Sequence, residues 1–271
     1  MEDGLDGRPQ HGLFGSYAVG VVAGGDGEGA RILEERTRVE RRYLHAGESS
    51  EDRTLRAGAA ELHFRSRPVK NATTANELVA ALNRAMLDEE SLLAQELSRD
   101  EAAITLVDGP LRSLRSPGRR VVGYVKRLQQ WYVSPAEVEL LPGLEAGERS
   151  PLFHIPPSEG AFTTDEGRFS WFIASATPAS LGAHVHPLGR VMRLETSAAL
   201  PLAAAVELAD QTASLLPQLA SSPTRDARAP HNLTPVGALE DQLTHRLGDR
   251  RYIARLLAAS VAATSREEAL A

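Results

Sequence analysis

The chain has 271 residues, no cysteine and a formal charge of −6 at pH 7. That length can bury a sizeable core, and the missing cysteine excludes disulfide scaffolds, zinc fingers, iron–sulfur clusters and thiol nucleophiles. No apolar run approaches the roughly 20 residues that cross a bilayer, and the acidic MEDGLDGRPQHG segment inverts the order of a signal peptide, so a soluble, cytoplasmic chain with no membrane partner is expected.

The first readable element is Ser16 to Gly24, SYAVGVVAG, whose small and β-branched residues predict a buried strand. GGDGEGA follows with too many glycines for a helix and predicts a hairpin turn. RILEERTRVERRYLH alternates in part, which fits one or two strands with a solvated ladder of Arg and Glu. From Thr74 to Leu97 the period changes: Leu78, Leu82, Met86, Leu93 and Leu97 form the apolar stripe of an amphipathic helix. Thr74 with Glu77 reads as a capping box at its start. Further strands are expected at Ala102–Val107, in VVGYV around Gly123 to Val125, at Phe169–Ala174, and at Arg190–Glu195 with one face apolar. After Pro201, LAAAVELADQTASLLPQLA, GALEDQLTHRL and RRYIARLLAASVAA predict a helical C-terminal portion over about residues 200–271. This order predicts a mixed α/β sheet flanked by helices, in one domain over residues 1–271.

Asp108 follows a hydrophobic strand and precedes Gly109, at the kind of strand edge where open α/β sheets place ligands. An ordinary Asp-Gly turn is the plainer reading of that spacing alone. Asp88, Glu89 and Glu90 sit on the long helix, and the positions of Glu89 and Glu90 between Met86 and Leu93 turn at least one of them toward the sheet. An acid on a core-facing stripe needs a buried partner or a metal ion. With the Asp6-Gly7 pair, such carboxylates make a hard-oxygen set suited to Mg²⁺ or Mn²⁺ and to phosphodiester hydrolysis. Directly after Asp108 come six cations, Arg112, Arg115, Arg119, Arg120, Lys126 and Arg127, with no acid before Glu137. They form either a solvated basic face or, beside carboxylates, a phosphate-binding run. GGDGEGA lacks the Gly-Lys-Ser/Thr ending of a phosphate loop, and no Gly-x-Ser-x-Gly elbow exists. His184 and His186 have no third ligand nearby for zinc, and Trp131, Tyr132, Trp171 and Phe172 read as core aromatics before they read as base-stacking platforms.

In chain order, AITLVDGPL, VVGYVKR, GERSPLF, RFSWFI, GRVMRLE and RDARAPHNLTPVGALEDQLTHRLGD resemble the segments of the NurA nuclease family, an RNase H-like group that works with the hexameric HerA translocase. The resemblance implies an RNase H-like mixed sheet and a Mn²⁺- or Mg²⁺-dependent nuclease acting on DNA ends. It further implies 5′ exonuclease and single-strand endonuclease activity in end processing or defence, and a homodimer partnered by a HerA-like ATPase. On it, Asp108, Glu90 and Asp6 are the catalytic carboxylates, and Asp6, Glu89, Glu90, Asp108 and His231 the metal-ligand candidates. Lys126 and Arg127 hold backbone phosphates, with Arg112, Arg115, Arg119 and Arg120 as the adjoining nucleic-acid contacts. Two departures, the short MEDGL lead into Asp6 and the PVGALE helix start with His231 placed before it, motivate an alternative. On that alternative the chain is a catalytically weakened scaffold docked on a ring ATPase. RNA as substrate stays open.

Overall fold

The computed structural model describes residues 12–25, 28–47, 51–57, 60–111, 119–157, 167–177, 186–221 and 232–270. It is a mixed α/β structure whose backbone gathers into two compact units, residues 1–89 with 239–271, and residues 90–238.

In the first unit, β1 (Gly12–Val19), β4 (Arg38–His45), β6 (Ala60–Pro68) and β5 (Arg53–Ala57) form one sheet in the order β1-β4-β6-β5. β4 and β6 run parallel and the other neighbours antiparallel. The Ser16–Gly24 run is two strands rather than one: β1 stops at Val19, and β2 (Val22–Gly25) pairs with β3 (Glu28–Ile32) as the hairpin that the glycines predict. The charged stretch after it supplies a 3₁₀ turn at Glu34–Arg36 and then β4.

The helix α1 (Ala75–Leu97) starts at the expected capping box. Thr74 Oγ1 accepts from the Glu77 N–H, and the Glu77 carboxylate accepts from the N–H groups of Thr73 and Thr74. These donors lower the Glu77 pKa. Leu78 is fully buried and packs with Leu44, Leu13 and Val69. Most of α4 (Thr234–Leu247) and all of α5 (Arg250–Leu270) complete this unit.

The second unit holds a five-stranded sheet in the order β7-β8-β11-β10-β9: β7 (Thr105–Asp108), β8 (Val121–Val125), β11 (Val191–Ser197), β10 (Arg168–Ala174) and β9 (Phe153–Ile155). β7 and β8 are parallel, and the remaining pairs are antiparallel. The expected strand over 102–107 starts later and extends to Asp108 itself, because residues 98–103 form a turn in which Asp100 accepts from the Ala102 N–H.

Strand alternation divides this sheet into two faces. Val122, Tyr124, Trp171, Ile173, Met192 and Leu194 pack against the stripe Ala205, Leu208, Ala209, Ala213 and Leu216 of α3 (Leu202–Leu219). The short α2 (Pro135–Leu140) is capped by Ser134 and Glu137. Beyond it, Leu141 joins Trp131, Phe172 and Val191 in a smaller cluster. Trp171 and Phe172 are core, as expected, whereas Tyr132 is 40 % exposed. β11 departs from the expectation of a single apolar face, since every one of its residues is buried. Arg190 precedes that strand and is buried too, donating to the carbonyls of Pro142, Leu144 and Ala176. Among the described residues, no helix is long and apolar enough to cross a membrane.

Candidate active site

β7 delivers Asp108 to the edge of the sheet with its side chain 45 % exposed. Gly109 then takes φ +102°, a conformation costly for any residue with a Cβ, and its N–H donates to the Tyr124 carbonyl at 2.9 Å. Gly123, on β8, has a different role. A Cβ there would lie 2.9 Å from both the Gly109 carbonyl oxygen and Leu111 Cγ, so the turn after Asp108 sits directly on the sheet only because Gly123 carries none.

The same turn is held from β11. The Leu111 N–H donates to Glu195 Oε1 at 2.8 Å. Glu195 is fully buried and also accepts from Arg168 Nη1 and Arg193 Nη1, each at 2.7 Å. The register explains the meeting: Glu195 lies opposite both Gly123 on β8 and Ser170 on β10, with Arg193 two residues away on the same face. Burial lowers the Arg193 pKa, and Glu195 works against that shift. The guanidinium of Arg193 also lies 4.9 Å from the centre of the Tyr132 ring, and Tyr132 adopts a left-handed φ of +62°. None of this buried network stands out as a site in the sequence, although the Arg-x-Glu alternation of VMRLETS does place both charges on one face.

The two helix carboxylates part company. Glu89 pairs with Arg38 Nη1 at 2.6 Å. Glu90 is half-buried, and its pKa is raised, first by burial and then by the charge of Asp108. Asp88 is exposed. The structure therefore brings Glu90 and Asp108 within electrostatic reach of each other, while Glu89 is engaged by an arginine.

The predicted cations divide as well. Lys126 Nζ is 2.9 Å from Asp108 Oδ2 and 5.2 Å from the centre of the Tyr124 ring. Arg119 pairs with Glu101 at 2.9 Å. Arg120 donates to the Gln211 side chain and to the carbonyls of Glu101 and Ala102. Arg127 is exposed. Arg112, Arg115, Asp6, His231 and His184 lie outside the described residues. His186 Nδ1 accepts from the Leu188 N–H and caps a short 3₁₀ turn.

Among the described residues no three His, Asp or Glu side chains form a metal-ligand group. The pair that is present nevertheless suits a hard divalent ion. Glu90, whose ionisation burial and the neighbouring charge of Asp108 make costly, gains from a cation shared with it, and oxygen donors are what Mg²⁺ and Mn²⁺ prefer. Lys126 already supplies positive charge on the Asp108 side.

The model of the NurA domain family matches residues 9–236. That span takes in both sheets, Glu90, Asp108, the whole basic run and His231, and begins after Asp6. No curated protein matches the chain.

Proposed function

The chain belongs to the NurA domain family, and from that premise we propose that it is a divalent-metal-dependent DNA nuclease centred on Asp108 and Glu90. The observation that carries this reading is the half-buried Glu90 within electrostatic reach of Asp108 at the end of β7, where burial and then the charge of Asp108 raise the Glu90 pKa. The family supports nuclease chemistry as a class. The ion, the polarity of digestion and the partner are the finer parts of the proposal.

Asp108 and Glu90 hold Mn²⁺ or Mg²⁺ in this reading, with Asp6 and His231 as the further candidate ligands. When bound, the ion neutralises charge that develops on the phosphate oxygens during attack by water. Lys126 orients Asp108 through their 2.9 Å ion pair, and its ammonium offers positive charge to a backbone phosphate that approaches the carboxylates. Arg127 is exposed for contact with the next phosphates, and Arg112 and Arg115 extend the run along the chain. Arg119 and Arg120, also in that run, are paired with Glu101 and Gln211.

We place the activity at DNA ends, as 5′ exonuclease and single-strand endonuclease, in repair or defence within the cytoplasm. The chain has no Walker A sequence, so ATP-driven movement comes from a HerA-like ring ATPase that the homodimer engages. Incubating the protein with end-labelled single- and double-stranded DNA and Mn²⁺ tests the core of this reading. Cleavage that stops with chelator and falls at least 100-fold in Asp108→Ala is expected. Absence of cleavage, or cleavage indifferent to Asp108→Ala, defeats it.

A second reading, a docking scaffold without activity, draws on the two departures in the sequence, the short MEDGL lead into Asp6 and the PVGALE helix start with His231 placed before it. It predicts stimulation of a HerA-like ATPase with no metal-dependent cleavage.

A further inference from the structure

Among the described residues Glu195 is the most deeply buried acid, with no exposure to solvent. Burying a carboxylate with two arginines is expensive, because desolvation cancels most of the attraction and an apolar replacement is often as stable. The network is therefore poorly explained by stability alone. Its geometry shows a more specific product. One oxygen, Oε1, accepts from both Arg168 and the Leu111 N–H, and Arg193 holds Oε2, so the carboxylate is fixed in its plane. Gly109 at φ +102° and the absent Cβ of Gly123 let the turn settle against the sheet at that point. The residues so fixed are those that follow Asp108 directly.

We propose that Glu195 is a positioning residue for Asp108: with Arg168 and Arg193 it anchors the Asp108–Leu111 turn and so sets where the Asp108 carboxylate stands. This rests on the reading of Asp108 as a metal-holding carboxylate. Partners that orient ligating carboxylates in this way cost about 10- to 100-fold in metal affinity or activity when removed.

Two variants disturb the anchor from opposite sides. Glu195→Gln keeps an acceptor oxygen but removes the charge facing both arginines, and Gly123→Ala pushes a methyl group against the Gly109 carbonyl and Leu111. Arg149→Ala, which breaks the Arg149–Asp210 pair in the same unit, is the control for a lost ion pair remote from the turn. Three readouts apply: hydrogen exchange of the 105–111 segment without metal or DNA, Mn²⁺ affinity by calorimetry, and kcat against KM for cleavage. Both anchor variants are expected to accelerate exchange of 105–111 at least tenfold, to weaken Mn²⁺ by about 10- to 100-fold, and to lower kcat with KM for DNA within about twofold. Arg149→Ala is expected to change none of these. Folded anchor variants that lose only melting temperature, with wild-type exchange and Mn²⁺ affinity, overturn the proposal. If Glu195→Gln does not fold, Gly123→Ala decides alone. Failure of the nuclease reading has a different signature: wild-type protein that does not cleave, or Asp108→Asn that cleaves normally, while the exchange measurement still reports on the anchor.

Discussion

β4 and β11 are both inner strands that alternate arginine with glutamate, and they use the pairing in opposite ways. On β4, Glu40 meets Arg42 at 3.2 Å and Arg65 at 4.0 Å, with the Glu40 side chain 24 % exposed and Arg65 68 % exposed. On β11, Glu195 meets Arg193 and Arg168 at 2.7 Å with no exposure of its own. Water reaches the first set, most of all at Arg65, so its ions part at lower cost. In the second set no solvent can replace a lost partner, so each group fixes the next. The residue types are shared, and burial decides whether they make a partly solvated ladder or a rigid frame behind the turn that follows Asp108.

The largest expected effect breaks that frame outright. Glu195→Ala leaves the buried Arg193 and the mostly covered Arg168 without their carboxylate and should cost about 3–5 kcal/mol, read as a shift in the denaturation midpoint. A loss below about 1 kcal/mol would erase the contrast between the strands. Next comes the backbone of the turn: Gly109→Ala forces a Cβ into φ +102° and should cost about 1–2 kcal/mol by the same measurement.

Glu90 sharpens the comparison through pH. Its folded-state pKa is raised, so ionising it burdens the folded protein. That burden is absent below the ordinary carboxylate range and sets in as pH rises through it. Glu90→Gln should therefore raise the melting temperature at pH 7, with the gain shrinking as pH falls toward about 4, while cleavage is lost. The smallest effect belongs to the solvated ladders. Glu61→Ala removes the partner of Arg56, itself 74 % exposed, and should change stability by less than about 1 kcal/mol.

Much of the architecture was legible because it is written locally. The glycine-rich hairpin, the Thr74–Glu77 capping box, the apolar stripe of α1 and the strand ending in Asp108 each rest on neighbours within a few residues. β5 and β6 went unread, since their exposed Arg, Glu and His outnumber the inward Leu55, Leu62 and Phe64, and period-two patterning is faint. β9 is too short to carry a pattern.

At the site, charge was visible but its partners were not. Arg120 finds Gln211, and Glu195 finds Leu111, across 91 and 84 positions of chain. Glu89 and Glu90 are adjacent on a helix, so spacing left both open. The side chains separate them, one on Arg38 and the other beside Asp108. The six-cation run likewise reads as one block, a solvated face or a phosphate-binding run, although Arg119, Arg120 and Lys126 are each engaged within the protein.

In the proposed function, DNA cleavage runs through the Asp108–Glu90 pair and a divalent ion. Single-turnover cleavage of end-labelled DNA across a Mn²⁺ titration tests it most directly, with Asp108→Asn, Glu90→Gln and the ladder variant Arg56→Ala measured side by side. Mn²⁺-dependent cleavage is expected in the wild type and in Arg56→Ala, with a loss of at least 100-fold in both carboxylate variants at every Mn²⁺ concentration. Equal rates in the wild type and the carboxylate variants, or no cleavage by folded wild-type protein, would contradict it.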